Sequence, residues 1–434
     1  MTKTLNIKKE KNKLVDMTTG SPYKLILLFS LPLLLGNIFQ QLYNMVDSIV
    51  VGQFVGSEAL AAVGTGFPVI FLMNSLFFGI GIGASIMISQ FFGAKDFNKV
   101  NKTIGTIYTA MLIGAIPLTI IGLLIISPTL SLLNVPQGPT FDMASSYMFV
   151  IFLGSISALG YNINAGILQG LGNSKTTLLF LSVACFINIV LDIVFTVFMG
   201  MGVIGVAIAT VIAQSVSWLY GLFYINKHYK QIEIKPFKFI FDKKLFKKSI
   251  ALGIPTGIQN ALFAVGTMVI QALVNAQGPD FMAGFNGANK IDTLGFLPIQ
   301  SFATAVTTYA GQNIGAMKYD RVKKGAISGV IMSVIVSLVL AIIMVPTAPY
   351  LMQLFNNNPA VIDAGVQYLI RIMPFYSLLS VLFILNGVMR GAGDMIIPMI
   401  SSLIGLWIAR VPAAYLLNHF FGAENMFFCY AIGW

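Results

Sequence analysis

The sequence has little charge for its length and very little cysteine or histidine. Of its 434 residues, 9% are charged and 57% are hydrophobic, and there are two cysteines and two histidines. A soluble domain needs a charged, hydrated surface that this composition does not supply, so we expect lipid to be its solvent. Cys185 and Cys429 lie inside apolar runs, which argues against a disulfide framework. His228 and His419 are too far apart for a local metal-ligand motif, and these residues do not indicate an enzyme.

Positive charge is missing from every second gap between the long apolar runs. Nearly all of the 26 lysines and arginines lie in the intervening gaps, which the positive-inside rule places in the cytoplasm together with the N-terminus. The net charge of +11 therefore sets topology and meets anionic lipid, and we expect no nucleic-acid partner. The basic gaps contain Lys3 to Lys24, Lys95 to Lys102, Lys175, Lys227 to Lys248, Lys318 to Lys324 and Arg390, and the alternate gaps contain Glu58, Asp142, Asp280, Asp363 and Glu424.

Twelve apolar runs are predicted to cross the membrane, each needing about 20 mostly apolar residues. Helices 1 to 6 are placed near 23–50, 59–85, 104–126, 145–168, 176–199 and 203–224. Helices 7 to 12 are placed near 250–274, 282–310, 326–350, 366–389, 396–417 and from 426 onward. The last run meets the end of the sequence at Trp434, so we expect either an incomplete twelfth helix or further residues beyond it.

The two sets of six runs form an internal repeat with an offset of about 222 residues. An even number of helices per unit makes both units enter from the same side, which is the parallel repeat of some secondary transporters. The predicted fold is therefore an all-α polytopic membrane protein with twelve transmembrane helices in two six-helix lobes. The matching pairs are Leu31-Pro32 with Ile254-Pro255, Gln90 and Gly93-Ala94 with Gln312 and Gly315-Ala316, Tyr147 with Tyr368, and Gly170-Leu-Gly-Asn with Gly391-Ala-Gly-Asp.

This repeat predicts four regions along the chain. A cytoplasmic N-terminal segment (1–22) is followed by an N-lobe (23–226) with helices 1 to 6. A basic cytoplasmic linker (227–248) then leads to a C-lobe (249–434) with helices 7 to 12. We interpret the linker as a solvated loop.

Six polar side chains of the first half are predicted to lie at one depth in the membrane. Charges at that depth are costly, so an intramembrane carboxylate is by default a functional candidate. Two neighbouring acids raise each other's proton affinity, which suits a proton relay, and hard oxygen ligands equally suit Na⁺. The alternative is that the acids are hydrated at the interface or paired structurally. The six are Asp47 and Tyr43 on helix 1, Tyr147 on helix 4, Asn188 and Asp192 on helix 5, and Thr210 on helix 6.

The second half carries four membrane-depth charges, Lys290, Asp292, Arg371 and Arg410. Lys290 and Asp292 are two residues apart on a helix and point to different faces, so no mutual pair is expected, and we favour a structural role for all four. The glycine-rich turn before Lys175 lacks the glycine that a phosphate-binding loop needs, so transport is expected to use an ion gradient or to be passive. The 34 Phe and 21 Met suit an adaptable pocket for bulky lipophilic cations.

Several motifs, in this order and on this repeat, resemble the multidrug and toxic compound extrusion (MATE) family. The resemblance runs from about residue 16 to 434 and rests on Leu31-Pro32, Val46-Asp47, Val51-Gly52, Ala59 to Gly64, Gln90 with Gly93-Ala94, Gly170-Leu-Gly172, Asn188 with Asp192, Gln312 with Gly315-Ala316, and Arg390 to Asp394. It implies an efflux antiporter of twelve helices in two lobes that form a V, driven by H⁺ or Na⁺.

The resemblance is nearest to the DinF-like branch, in which ion coupling lies in the N-lobe. Its coupling residues carry onto Asp47, Asn188 and Asp192, with Tyr43, Tyr147 and Thr210 in support, and Na⁺ would bind Asp47, Asn188, Asp192 and Thr210. Phe263-Ala264 occupy the region where NorM-like members have an acid on helix 7, which makes coupling in the second lobe doubtful. Candidates for a substrate or secondary polar site are Asn164, Asp292 and Gln259.

We therefore expect a monomeric, multi-pass protein of the cytoplasmic membrane that is a transporter and not an enzyme. Its partners would be amphiphilic or cationic drugs and membrane lipids, and it would need no cofactor beyond the transported H⁺ or Na⁺. The alternative is a flippase for a lipid-linked oligosaccharide or another amphiphile. Such a flippase should show several cationic side chains around its central cavity, and the candidates in the sequence are Lys290, Arg371 and Arg410. A scaffold would not need two acids at matching depth.

Overall fold

The structure, a computed structural model, describes residues 14–133, 135, 137–236 and 238–434. The side chains of residues 67–68, 71–74 and 76–78 lie outside the description. Of the predicted N-terminal segment 1–22, residues 1–13 also lie outside the described residues.

The described chain is built from helices, and its first six long helices follow the first six predicted runs. Five of the six extend several residues beyond the predicted run at one end or at both, whereas α5 differs from its run by one or two residues at each end. The helices are α1 (Pro22–Phe54), α2 (Ser57–Gly93), α3 (Phe97–Leu132), α4 in two segments (Pro139–Leu153 and Ser155–Gly170), α5 (Ser174–Phe198) and α6 (Gly202–His228).

The second six follow in the same order. They are α7 (Lys243–Asn275), α8 (Pro279–Gly315), α9 (Tyr319–Gln353), α10 (Pro359–Ala392), α11 (Ile396–Phe421) and the short helical turns of α12 (Ala423–Phe428 and Cys429–Gly433). Among the described residues, eight helices are long and apolar enough to cross a membrane, or nine if the two segments of α4 form one span. The prediction of an all-α polytopic membrane protein is confirmed.

Four of the predicted continuous helices are interrupted. α4 bends by 52° at Gly154, where a Cβ atom would overlap Val211 of α6. α10 contains a 3₁₀ turn at Met373–Phe375, because Pro374 cannot donate the helical hydrogen bond. α5 and α11 each contain a wider π-helical turn, at Ile193–Phe198 and Ile404–Arg410. Such turns are frequently found at functional sites.

The repeat is visible in the turns that follow α4 and α10. Gly172 and Gly393 both adopt positive φ angles, +80° and +91°, which glycine adopts without strain. The next residues cap the following helices: the Asn173 side chain accepts from the Thr176 amide, and the Asp394 side chain accepts from the amides of Ile396 and Ile397. The same turn chemistry thus ends the fourth helix of each half.

The segment between α6 and α7 does not behave as the solvated loop predicted for the linker. It comprises residues 229–242, and its Ile232 and Ile234 are each 2% exposed. The Ile240 amide donates to the Thr109 hydroxyl of α3 (3.1 Å), and the Asp242 amide donates to Thr106 (3.1 Å). The many basic residues of the linker suggested a solvated loop, but its buried isoleucines and its hydrogen bonds hold it along α3.

The two halves meet along four helices, with α1 against α8 and α2 against α7. Glycines allow the second contact, since a Cβ atom at Gly79 would overlap the Gly253 carbonyl and one at Gly83 would overlap that of Ser249. The Asn37 side chain donates to the Ser301 hydroxyl (3.1 Å) between α1 and α8. A central cavity lies beside these crossings, at the level of Asn37 and Ile82.

Candidate functional site

The six residues predicted for ion coupling converge between α1, α4, α5 and α6. Asp192 and Asn188 are fully buried, and Thr210 is 7% exposed. The Asp47 carboxyl group lies beside that of Asp192. The Tyr147 side chain lies within electrostatic reach of both carboxyl groups. The four helices therefore place all of these side chains at the same end of the first six-helix bundle.

Thr210 links this group by hydrogen bonds. The Tyr43 hydroxyl donates to the Thr210 hydroxyl oxygen, and the Asn188 side-chain amide donates to the same atom, each at 3.4 Å. Tyr43 and Asp47 are one turn apart on α1, and Asn188 and Asp192 are one turn apart on α5, so each helix presents both residues on one face.

Several oxygens of this site lack a partner. Among the described side chains, these include Asp47 Oδ1, Asn188 Oδ1, both carboxylate oxygens of Asp192 and the Thr196 hydroxyl. An unsatisfied buried polar atom costs about 1–3 kcal/mol, and more if charged. A proton or a monovalent cation placed among these oxygens would remove that cost.

A small cavity of about 40 Å³ adjoins the Asn188 end of this group. Tyr43, Asn188 and Thr210 line it, together with Gln40 and Gln214. This volume is enough for one or two water molecules or a small dehydrated cation. The chemistry of the donors is that of a hard-cation or proton site. No group of three or more His, Cys, Asp or Glu side chains suited to a metal ion occurs in the part of the chain that the structure describes.

Sequence reasoning missed Thr196, Gln40 and Gln214. Thr196 follows Asp192 by four residues, which would have placed it on the same helical face. Gln40 precedes Tyr43 by three residues, and this spacing likewise places the two side chains on one helical face. What the sequence did not show is the π-helical turn that begins at Ile193, directly after Asp192.

The second lobe holds a different cluster around Asp292. Its carboxylate accepts hydrogen bonds from the Tyr368 hydroxyl (3.3 Å) and the Tyr376 hydroxyl. The Arg410 guanidinium lies 4.5 Å from the centre of the Tyr430 ring. Asp292 is thus satisfied by its neighbours, unlike the acids of the first lobe.

The remaining candidates lie apart from both clusters. Asn164 is fully buried, accepts from the Tyr108 hydroxyl and donates to the Trp218 carbonyl (2.9 Å). Gln259 donates to the Ser402 hydroxyl (2.6 Å) and accepts from the Arg390 guanidinium (2.8 Å). The Asn164 side chain therefore makes its hydrogen bonds within the first lobe, whereas the Gln259 side chain binds the Arg390 guanidinium.

A central cavity of about 580 Å³ lies between the halves, a size typical of small-molecule sites. The residues that the first half contributes to the cavity wall are mostly apolar, and those that the second half contributes are mostly polar. The apolar side includes Ile80, Ile82, Ile86, Ile107, Met111, Leu159 and Ile163. The polar side includes Asn260, Gln300, Thr304, Thr307, Thr308 and Arg390.

Arg390 was assigned from the sequence to a cytoplasmic gap after a helix ending at residue 389, whereas the helix continues to Ala392. Arg390 lies within α10 and lines the central cavity. Of the three cations considered for a flippase, Lys290, Arg371 and Arg410, all of them described residues, none lines this cavity, and Arg371 pairs with Glu424 (3.3 Å). Lys290 is exposed and lies over the Phe355 ring.

The floor of the cavity is a seam formed by Gln90, Gly170, Gln312 and Gly391. The Gln90 side chain donates to the Gly391 carbonyl (3.0 Å), and the Gln312 side chain donates to the Gly170 carbonyl (3.3 Å). Each bond joins one half of the chain to the other. Along each helix, a seam residue comes directly after a cavity-lining residue or one turn after it. Gly391, for example, directly follows Arg390.

Met17 covers the seam. It is fully buried, its amide donates to the Gln312 side chain (2.9 Å), and its carbonyl accepts from Asn313 and Arg321. Burial opposes ionisation of Asp16, but hydrogen bonds from Thr18 and nearby lysine charges together hold the pKa of Asp16 below its ordinary value. The segment before α1 is therefore tied to the closed seam.

Comparison with known proteins gives one consistent result. A family model described as MatE matches residues 32–194 and 255–416. "Probable multidrug resistance protein YpnP" of Bacillus subtilis (strain 168) is 32% identical over 417 residues, covering 95% of this chain and 92% of that protein. "Probable multidrug resistance protein YoeA" of the same organism is 29% identical over 407 residues, covering 92% of this chain and 88% of that protein.

A solved structure agrees with these relatives. It is described as "Outward-facing conformation of a multidrug resistance MATE family transporter of the MOP superfamily". It matches with a TM-score of 0.91 at 25% identity, covering 97% of this chain and 94% of that chain.

Proposed function

The chain belongs to the multidrug and toxic compound extrusion (MATE) family, and from this we propose that it is a secondary active multidrug efflux antiporter. It exports amphiphilic compounds through the central cavity in exchange for H⁺ or Na⁺. Ion coupling takes place in the first lobe, at Asp47 and Asp192. Relatives named as multidrug resistance proteins support the efflux activity.

The observation that carries this proposal is the set of unpartnered oxygens around Asp192. Two acids side by side at membrane depth are unfavourable when both are ionised, so the site favours uptake of a proton or a cation. Tyr43, Asn188 and Thr210 are already linked to one another, so they would orient the site without filling it.

Helix α1 connects the ion site with the cavity. Leu33 and Asn37 line the central cavity, while Tyr43 and Asp47 face the ion site two to three turns further along. Loading the ion would change the packing of α1 against α5, and the cavity wall would change with it. Exchange then requires that ion and substrate favour different arrangements of α1.

The proposal includes an orientation in the cytoplasmic membrane. The seam end, with its exposed lysines, faces the cytoplasm, and the N-terminus lies on that side. The N-lobe (23–226) carries the ion site, the linker (227–248) is cytoplasmic and the C-lobe (249–434) completes the cavity. One chain contains both lobes and acts as a monomer.

The alternative is a flippase for a lipid-linked oligosaccharide. A pyrophosphate group needs several cationic partners, whereas Arg390 is the only charged side chain among the described residues that line the cavity. This single cation favours the efflux proposal.

The test uses inside-out vesicles that contain wild-type protein, Asp47→Asn or Asp142→Asn. Uptake of fluorescent amphiphiles of either charge is measured under an imposed pH gradient and then under an imposed Na⁺ gradient. We expect gradient-driven accumulation in wild type, its loss in Asp47→Asn, and full retention in Asp142→Asn, since Asp142 is exposed at a helix start. No accumulation of any amphiphile under either gradient would refute the proposal and favour the flippase.

A further inference from the structure

We propose that the central cavity selects amphiphiles that carry a single anionic group, and that Arg390 binds that group. This inference rests on the proposed export function and names its substrate class. It replaces the expectation, drawn from Phe and Met content, that the pocket takes lipophilic cations. Three observations lead to it, one on charge, one on geometry and one on the distribution of polarity.

The first observation is the charge of the cavity. Arg390 is its only charged residue among the described lining side chains, and no carboxylate forms an ion pair with it in the described part of the chain. A cationic ligand would be repelled by this group, whereas an anion would supply the missing countercharge. An uncompensated charge in a low-dielectric cavity makes that attraction strong.

The second observation is how Arg390 is held. Its terminal nitrogen donates to Gln259 Oε1 (2.8 Å), and Gln259 is itself fixed by its bond to the Ser402 hydroxyl. Its Nε atom is buried and has no hydrogen-bond partner. The guanidinium is therefore preorganised by a neutral amide, and its second terminal nitrogen, which makes no hydrogen bond in the described structure, is left to donate to a carboxylate, sulfonate or phosphate oxygen.

The third observation is the amphipathic wall. The apolar body of a ligand would pack against Ile82, Ile107 and Met111 of the first lobe. Its anionic group would face the polar side, where Thr304 and Thr308 lie on the same face of α8. A cavity of about 580 Å³ accommodates one drug-sized molecule in this orientation.

The experiment compares two fluorescent probes that share a dansyl group and a six-carbon tether. One tether ends in a carboxylate and the other ends in a trimethylammonium group. Binding to purified protein in detergent is measured by fluorescence titration for wild type, Arg390→Gln, Arg390→Lys and the control Lys175→Gln. Lys175 is exposed, so its substitution removes the same charge from outside the cavity.

We expect wild type to bind the carboxylate probe more tightly than the ammonium probe. Arg390→Gln should weaken carboxylate binding roughly thirtyfold or more, which is typical of losing one partner of a buried charge pair. Arg390→Lys should retain part of the affinity, and Lys175→Gln all of it. Preference of wild type for the ammonium probe, or equal carboxylate affinity in Arg390→Gln, would overturn the proposal.

A second variant tests the anion site independently, in case Arg390→Gln does not fold. Gln259→Glu places a carboxylate beside Arg390 and keeps the size of the side chain. This internal carboxylate should compete with the probe and weaken carboxylate binding while sparing the ammonium probe. Unchanged carboxylate affinity in a correctly folded Gln259→Glu would count against an anion site at Arg390.

The anionic group could belong to a soluble compound or to a lipid headgroup, and transport distinguishes the two. Proteoliposomes carrying the dansyl carboxylate report export of the soluble anion, and those carrying fluorescent phosphatidylglycerol report lipid movement by dithionite quenching. Either movement, if lost in Arg390→Gln, supports the anion site and identifies the source. Gradient-driven export of the ammonium probe alone would leave the efflux function intact and reject the anion site.

Discussion

Gln90 and Gln312 occupy equivalent positions in the two halves of the chain, and each donates a hydrogen bond to a glycine carbonyl of the opposite half. Gln90 binds Gly391 and Gln312 binds Gly170. The seam is therefore closed by two related bonds, and opening it breaks both. A symmetric closure of this kind behaves as a two-state element, because neither bond survives separation of the lobes.

The paired bonds predict that Gln90→Ala and Gln312→Ala each shift the protein toward the open seam. Gln90→Ala removes about 1 kcal/mol of net hydrogen bonding and Gln312→Ala removes more, because Gln312 also accepts from the Met17 amide, so the double variant should change the open population by more than tenfold. Spin labels at positions 99 and 323, both exposed, would report the distance across the seam. Gln353→Ala, at the far end of α9, should leave the distance distribution unchanged. A double variant that matches wild type would show that the seam is not held by these amides.

Close backbone contact predicts a stronger effect at two glycines. A Cβ atom at Gly93 would overlap the backbone of Gln312, and one at Gly315 would overlap that of Gln90. Gly93→Ala should therefore prevent closure of the seam and reduce transport at least tenfold, although the protein still folds. Gly64→Ala is the matched control on the same helix, since its added Cβ has no neighbour within 4 Å. Transport at the wild-type rate in Gly93→Ala would contradict the close contact.

The ion site predicts a role for Thr196, which sequence patterns did not identify. Its unpartnered hydroxyl lies on the π-helical turn that follows Asp192. Thr196→Val keeps the shape but removes the oxygen, so we expect the apparent affinity for the coupling ion to fall several-fold while the maximal rate changes little. The ion dependence of vesicle uptake measures both quantities. Thr347→Val, which removes a hydroxyl bonded only within its own helix in the described structure, should leave the ion dependence unaltered.

The segment before α1 predicts a pH-dependent attachment. Because the folded-state pKa of Asp16 lies below its unfolded value of about 3.9, its contribution is present above that value and is lost as the pH falls through the folded pKa. Asp16 is largely exposed, so solvent screening should keep the effect small. Hydrogen exchange of residues 14–22 should be faster in Asp16→Asn at pH 7, and the difference should shrink toward pH 3. Asp96→Asn, in a turn outside this segment, should not change that exchange.

Much of the architecture follows from the sequence, because membrane helices depend on long apolar runs and on alternating charge. The repeat also predicted the paired turns at Gly172 and Gly393. The breaks in the helices were less predictable. A bend at Gly154 depends on a side chain from α6, and the π-helical turns at Ile193 and Ile404 have no local composition that marks them.

The candidate ion site was predicted residue by residue because acids at membrane depth are rare and conspicuous. The position of Arg390, in contrast, was not predicted, because nothing conspicuous in the local sequence marks it. It stands next to Gly391 and Gly393, so the sequence suggested a loop, whereas α10 continues through Arg390 to Ala392. Its position in the cavity depends on Gln259, which lies 131 residues away in the chain. Contacts of that range are not visible in local patterns.

The fastening of the linker to α3 also limits how the halves can move. Asp242 is bonded to Thr106 through its amide, and its side chain caps the first turn of α7. The residue that ends the linker is therefore also the residue that caps the first helix of the second half, with no free residues between them. Rotation of the second half about Asp242 would keep these contacts, whereas sliding it away from the first half would break them.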